Sequence, residues 1–196
     1  MDEHNSLLRR GLLLEYITLA WNVVGTVVAI GAGIKANSLS LFGFGIDSAI
    51  EIFASVVVVW QLKTINKKTE GVALKLIGGA FMALSLYLLV RAVQVLSIGA
   101  HPTPSHTGAL WLFITAIVMF LLAYGKRKIG KQIPNKILME ESIVTIIDGA
   151  LAVALLMGVL LDMYLGWWWA DPLASLVLVF LGAREALHIF KGSHTH

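Results

Sequence analysis

The sequence predicts an all-α integral membrane bundle of six transmembrane helices. Of its 196 residues, 58% are hydrophobic and only 14% are charged, and the mean hydropathy is +0.82. The charged residues are grouped between apolar runs, whereas a soluble helical bundle spreads them over the polar faces of amphipathic helices. We therefore expect most of the chain to be surrounded by lipid.

Six apolar runs divide the chain, and each is long enough to cross the roughly 30 Å of hydrocarbon in a bilayer. The segments between them are short and rich in turn-forming or charged residues. None is long enough for a second domain, so residues 1–196 are predicted to form a single transmembrane domain. The predicted helices cover residues 12–34, 38–62, 72–98, 108–125, 138–164 and 171–190.

The basic residues between these runs alternate in a way that predicts the orientation of the chain. Lys35 is the only Lys or Arg in the predicted outer segments, whereas the inner ones carry groups such as Lys126, Arg127 and Lys128. Because basic residues near helix ends are retained on the cytoplasmic side, both termini are predicted to be cytoplasmic. On the outer side, Asp171 and Pro172 are expected to form the N-cap and first position of helix 6.

Three acidic residues are predicted to lie deep in the membrane. Asp47 and Glu51 are four residues apart on one face of helix 2, roughly 12 and 18 Å from its outer end. Asp148 lies roughly 15 Å from the inner end of helix 5. No Lys, Arg or His is expected at that depth. The side chains of Glu15 and Lys75 are close enough to the inner helix ends to reach the headgroups.

Buried carboxylates without a basic partner must either bind protons or surround a cation. The residues therefore favour a cation site formed by Asp47, Glu51 and Asp148. A structural alternative is that these acids are protonated and form hydrogen bonds between helices, with partners such as Asn22 or Thr145. The chain has no cysteine, which excludes thiolate metal sites and iron–sulfur clusters.

The residues around these acids resemble the cation diffusion facilitator, or cation efflux, family. The resemblance rests on Trp21-Asn22 in helix 1, on the stretch at 38–51 that leads from Ser38 to Glu51, and on the stretch at 166–172 that opens helix 6. In that family a pair of metal ligands four residues apart follows a serine-rich start of helix 2. The three motifs occur in order across nearly the whole chain.

In helix 5 the chain departs from the family pattern. The family has an acid, then His or Asp three residues later, then Asp four residues after that, and Glu141, Val144 and Asp148 occupy these places. The middle ligand is therefore missing. Glu141, Thr145 and Asn22 remain as possible auxiliary residues of the site.

The resemblance implies a secondary transporter that exports a divalent transition metal such as Zn²⁺, Mn²⁺ or Fe²⁺ by proton antiport and alternating access. It also implies a homodimer, and we expect a multi-pass protein of the bacterial cytoplasmic membrane. Family members commonly carry a cytosolic metal-binding domain after helix 6, so the chain is expected to be a short, membrane-only branch. The metal is the substrate, and no resident cofactor is expected.

Other functions remain open or are disfavoured by the residues. A non-transporting metal-binding membrane subunit or sensor is the main alternative, and a pathway for protons or monovalent cations is another. We expect no enzyme activity, because no nucleophile-and-base arrangement or zinc-protease motif is present. We expect no nucleic-acid partner, because the basic residues lie in short inter-helix segments without a recognition motif.

Overall fold

The computed structural model describes the backbone of residues 2–64, 67–103, 105–132 and 136–192. Side chains are described at residues 7, 9–53, 72, 75–103, 105–132 and 142–190. These parts of the chain contain six α-helices and no strand, which confirms the predicted all-α class. The helices are α1 (Asp2–Ala36), α2 (Leu39–Thr64), α3 (Lys67–Ile98), α4 (His106–Gln132), α5 (Lys136–Leu165) and α6 (Ala170–Gly192).

Five of these helices are long and apolar enough to cross a membrane: α1, α3, α4, α5 and α6. Their outward faces carry large apolar side chains, such as Val27, Leu121 and Phe180, each at least 66% exposed. Exposed apolar area of this extent is suited to lipid. The chain is therefore a multi-pass membrane protein. The span of α2, the cytoplasmic location of the termini and the single domain stay predictions.

The helix bounds differ most from the predicted spans at the ends that are predicted to be cytoplasmic. Helix α1 begins at Asp2 instead of residue 12, and α4 continues to Gln132 instead of ending at residue 125. The predicted spans follow hydropathy, which falls where charged residues begin. Backbone hydrogen bonding continues beyond that point because a helix needs no lipid to satisfy its own amides and carbonyls.

At the end of the bundle that is predicted to be outer, three helices end in a residue with left-handed backbone conformation. Asn37 follows α1 with φ 52°, Gly99 follows α3 with φ 69°, and Gly166 follows α5 with φ 66°. The backbone amide of Ser38 donates to the carbonyl of Gly33 at 3.0 Å, closing the last turn of α1. This is the usual helix C-cap, in which Gly and Asn are favoured because they tolerate positive φ.

Helices α1 and α2 approach each other closely where small residues face a neighbouring backbone. A Cβ atom added at Gly33 would lie 2.5 Å from the backbone nitrogen of Phe42. One added at Gly45 would lie 2.7 Å from the backbone nitrogen of Ile30. Both glycines thus permit a backbone contact that any side chain would prevent.

Asp171 joins α6 to α2, which differs from its predicted role as the N-cap of helix 6. Its carboxylate is 2% exposed and accepts hydrogen bonds from the Ser38 hydroxyl at 2.6 Å, the Leu39 amide at 2.8 Å, the Ser40 amide and the Ser40 hydroxyl. Asp171 therefore caps the N-terminus of α2 from the first turn of α6. The amides of α2 have no partner within their own helix at this end, so a carboxylate there satisfies them and stabilises the positive end of the helix dipole.

We expect Gly33→Ala to destabilise the protein, because its Cβ would overlap the backbone of Phe42 and overpacking typically costs about 1–3 kcal/mol. Gly31→Ala is the matched control in the same helix, since a Cβ there meets nothing within 4 Å. Thermal unfolding in detergent should show a lower midpoint for Gly33→Ala. Equal midpoints for the two variants would contradict the close approach of α1 and α2.

We expect Asp171→Asn to lower the unfolding midpoint by about 5 °C or more, because each buried donor left without an acceptor costs about 1–3 kcal/mol. Glu185→Gln, an exposed acid on the same helix, is the control and should leave the midpoint unchanged. The measurement is thermal unfolding followed by tryptophan fluorescence. A midpoint for Asp171→Asn equal to that of the control would exclude the cap between α6 and α2.

Candidate metal site

Helices α2 and α5 bring the three predicted site acids to one cavity inside the bundle. Asp47, Glu51 and Asp148 all line this cavity and are partly buried. The carboxyl groups of Glu51 and Asp148 lie within hydrogen-bonding reach of each other, and Asp148 is close enough to Asp47 for a direct charge interaction. The spacing of four residues places Asp47 and Glu51 one above the other on α2, as predicted.

Helix α1 contributes Asn22, one of the predicted auxiliary residues. The Asn22 side chain is 8% exposed, lines the cavity and donates a hydrogen bond from Nδ2 to Glu51 Oε2 at 2.8 Å. Glu51 is therefore in contact with both α1 and α5. This hydrogen bond fixes the orientation of the Glu51 carboxyl group at the cavity.

Two tryptophans form a wall of the cavity between α1 and α4. The rings of Trp21 and Trp111 stack with centroids 5.0 Å apart and planes 9° from parallel. Trp21 Nε1 donates to the Thr115 hydroxyl at 3.2 Å, whereas the buried Nε1 of Trp111 has no hydrogen-bond partner among the described residues. The two rings are uncharged, so the charged groups of the cavity lining are the carboxyl groups of Asp47, Glu51 and Asp148.

The cavity is small, with a volume of about 10 Å³. A volume of that size holds about one water molecule. Among the described residues, no three Asp, Glu or His side chains converge as a complete ligand set. The acids surround the same space but must move closer together to hold an ion jointly.

The remaining predicted positions in helix 5 have different surroundings. The side chain of Glu141 lies outside the described residues. The Thr145 hydroxyl accepts a hydrogen bond from Lys126 Nζ at 3.1 Å, and Thr145 is not part of the cavity lining. Val144, which takes the place of the missing family ligand, is 48% exposed on the outside of the bundle. The assignment of metal ligands stays a prediction.

Lys126 was predicted to lie in an inter-helix segment on the inner side, but it is buried inside the bundle. Its side chain is 0% exposed, and Nζ forms a 2.9 Å ion pair with Glu15 Oε2. Lys126 was expected in a loop because hydropathy falls at residue 126, but α4 continues through it and directs it inward. Its charge is matched by Glu15, which was expected at the headgroups.

Sequence reasoning did not find the contribution of α4 to the cavity, which comes from Trp111, Thr115 and Met119. Trp111 and Met119 are apolar residues in an apolar helix and carry no signal of their own. Thr115 does carry one, since it is a hydroxyl residue in the middle of the predicted span at 108–125 and is 2% exposed. A polar side chain at that depth needs a partner inside the bundle.

Comparison with known proteins relates the chain to membrane transporters. Residues 16–195 match the cation efflux transmembrane domain. The cadmium, cobalt and zinc/H(+)-K(+) antiporter of Bacillus subtilis (strain 168) is 26% identical over 94% of this chain and 62% of its own length. A protein of the same description from Bacillus velezensis is 25% identical over 94% of this chain and 61% of its own length.

A further relative is transmembrane protein 163 of Xenopus laevis, which is 21% identical over 76% of this chain and 54% of its own length. The chain thus spans about three fifths of the length of the two antiporters that it matches. The match to the family extends from α1 to beyond the end of α6 and includes every residue of the acidic cavity. The chain belongs to the cation efflux family.

Proposed function

We propose that the chain carries a divalent transition-metal cation across the membrane by alternating access, in exchange for protons. The observation that carries this proposal is the group of three carboxyl groups from α2 and α5 that line one small interior cavity. Carboxylates at such depth are costly unless they bind a cation or protons. The proposed role is transport, with the metal as substrate, without a resident cofactor and without catalysis.

The chemistry of the cavity supports a transition metal of the Zn²⁺, Mn²⁺ or Fe²⁺ class. Its charged groups are carboxylates, which bind Mn²⁺ and Fe²⁺ well and are also ligands of Zn²⁺. Mg²⁺ dehydrates reluctantly and usually keeps several of its waters, so we expect it to be a poorer substrate than these transition metals. The names of the two Bacillus relatives, which include zinc, also favour this class.

The contact between Glu51 and Asp148 supports coupling to protons. Two carboxyl groups form a hydrogen bond only when one of them carries a proton, because an ionised carboxylate only accepts. Glu51 and Asp148 lie in reach of each other, so one shared proton would stabilise this pair when no metal is bound. A dication would displace that proton, because metal ligands must be deprotonated. Movement of α2 and α5 against the other helices would then expose the site to either side in turn.

The relatives also bear on location and assembly. Both antiporters come from bacteria, which supports a place in a bacterial cytoplasmic membrane with export from the cytoplasm. The resemblance to the family favours a homodimer in the lipid bilayer as the functional unit. Light scattering of the purified protein in detergent tests the dimer directly.

We expect Asp47→Asn, Glu51→Gln and Asp148→Asn each to reduce metal uptake into proteoliposomes at least about tenfold, because each removes a charge that balances the cation. Asp162→Asn is the matched control, since Asp162 lies on α5 but outside the cavity lining. The assay follows Zn²⁺ and Mn²⁺ with an encapsulated fluorescent indicator, and Mg²⁺ serves as the cation that should not compete.

The same assay separates the proposed function from its alternatives. Undiminished flux in all three cavity variants would exclude the site. Metal binding to the wild-type protein without flux would favour a binding subunit or sensor. Flux of protons or K⁺ without any divalent metal would favour a monovalent-cation pathway.

We expect metal uptake to raise the lumenal pH of proteoliposomes, because each metal ion that enters displaces protons outward. A pH-sensitive dye trapped inside the vesicles measures this change, and Asp148→Asn should abolish it. Vesicles with K⁺ replaced by N-methylglucamine test whether K⁺ shares in the exchange. Rapid metal uptake at constant lumenal pH would contradict proton antiport.

A further inference from the structure

A second polar group lies inside the bundle, at the interface of α1, α4 and α5, apart from the acidic cavity. It consists of Glu15, Lys126 and Thr145, here named the Lys126 cluster. Lys126 Nζ donates to Glu15 Oε2 at 2.9 Å and to the Thr145 hydroxyl at 3.1 Å. Lys126 is 0% exposed, whereas the side chain of Glu15 is 34% exposed.

The Lys126 cluster lies on one side of the acidic cavity along all three helices. Glu15 precedes the cavity residue Asn22 by seven positions on α1, and Lys126 follows the cavity residue Met119 by seven positions on α4. At 1.5 Å per residue, these separations are about 10 Å along the helix axes. On α5, Thr145 precedes Asp148 by three positions, or about 5 Å. The start of α1, the end of α4 and the start of α5 are the ends predicted to be cytoplasmic.

The energetics of this cluster argue against a purely stabilising role. A buried ion pair loses much of its Coulombic gain to desolvation, and well-packed apolar residues of similar volume are often equally stable. Its best-attested use is to specify one arrangement of helices over another. Here the pair is also incompletely satisfied, because Glu15 Oε1 is buried and has no hydrogen-bond partner among the described residues.

That incomplete bonding makes separation of the pair less costly than separation of a fully bonded one. Glu15 is partly exposed near the predicted inner surface, so its carboxylate can return to water when α1 moves. Lys126 has a long flexible side chain that can follow the same way to the surface. The cluster thus joins α1, α4 and α5 in one arrangement of the helices. In a second arrangement, water can solvate the separated Glu15 and Lys126 side chains.

We propose that the Lys126 cluster closes the cytoplasmic side of the metal pathway and separates when the acidic cavity opens to that side. Glu15 and Lys126 act as positioning residues that hold α1, α4 and α5 together below the site. The inference rests on the proposed transport function, because alternating access requires a closure that forms and breaks on each side. Separation of the cluster should make the residues between it and the acidic cavity accessible to water from the cytoplasmic side, whether or not metal is transported.

The absence of cysteine from the chain allows a direct test by thiol labelling. Thr18→Cys places one thiol between Glu15 and Asn22, at three and four positions from them on the same face of α1. The Thr18 hydroxyl donates to the Leu14 carbonyl of its own helix at 2.9 Å, so among the described residues the substitution removes no hydrogen bond between helices. A membrane-impermeant thiol reagent is applied to vesicles of either orientation.

In this background we expect Lys126→Met to raise the labelling rate from the cytoplasmic side about tenfold or more, because loss of the ion pair shifts the population toward the open arrangement. Glu15→Gln should raise it in the same direction. Exchange of the two charges, with Glu15→Lys and Lys126→Glu together, should return the rate to that of the parent. Lys128→Met, at an exposed residue of the same helix, is the control and should have no effect.

Equal labelling of the parent and of folded Lys126→Met would overturn the proposal, as would an equal rise from the outer side. A charge-exchanged protein that labels as fast as Lys126→Met would also overturn it. Where size-exclusion chromatography shows that Lys126→Met does not fold, Glu15→Gln decides by the same criteria. Labelling needs no metal flux. Failure of the transport proposal would appear in the flux assay, whereas failure of the proposed closure would appear in the labelling rates.

Discussion

Three carboxyl groups held inside a helical bundle are the constraint on which the rest of the structure depends. In lipid, a carboxylate has no water to solvate it, so its partners must come from the protein, a proton or a bound cation. Asn22 and Asp148 supply part of this solvation to Glu51. The contacts of Glu51 join α1, α2 and α5 at the acidic cavity. Replacement of a proton by a cation in this cavity must therefore change how these helices pack.

The two ends of the bundle are held by interactions of different strength. At the predicted outer end, the Asp171 carboxylate accepts four hydrogen bonds from the start of α2 and is almost fully buried. At the predicted inner end, Lys126 is buried but its partner Glu15 is partly exposed, and Glu15 Oε1 has no hydrogen-bond partner within the described part of the chain. This asymmetry places the rigid contact at α2 and α6 and the adjustable contact at α1, α4 and α5.

The parts of this structure that follow from hydropathy and helix geometry were predictable from sequence. The six helices and the approach of Asp47, Glu51 and Asp148 follow from run lengths, from the four-residue spacing and from a rise of 1.5 Å per residue. The use of these acids as ligands is untested. The burial of Lys126 was missed because hydropathy falls at residue 126, whereas α4 continues beyond that residue and directs its side chain inward. The role of Asp171 was missed because local capping rules describe a residue's own helix and contain no information about a neighbouring one.

The central claim is that the acidic side chains of α2 and α5 together bind one divalent cation, and X-ray absorption spectroscopy of the metal-loaded protein tests it most directly. The account predicts about one Zn²⁺ or Mn²⁺ per chain and, for Zn²⁺, a first shell of oxygen atoms alone at about 2.0–2.2 Å. A spectrum with the outer-shell scattering of imidazole rings, or a protein that retains no metal after desalting, would contradict the account.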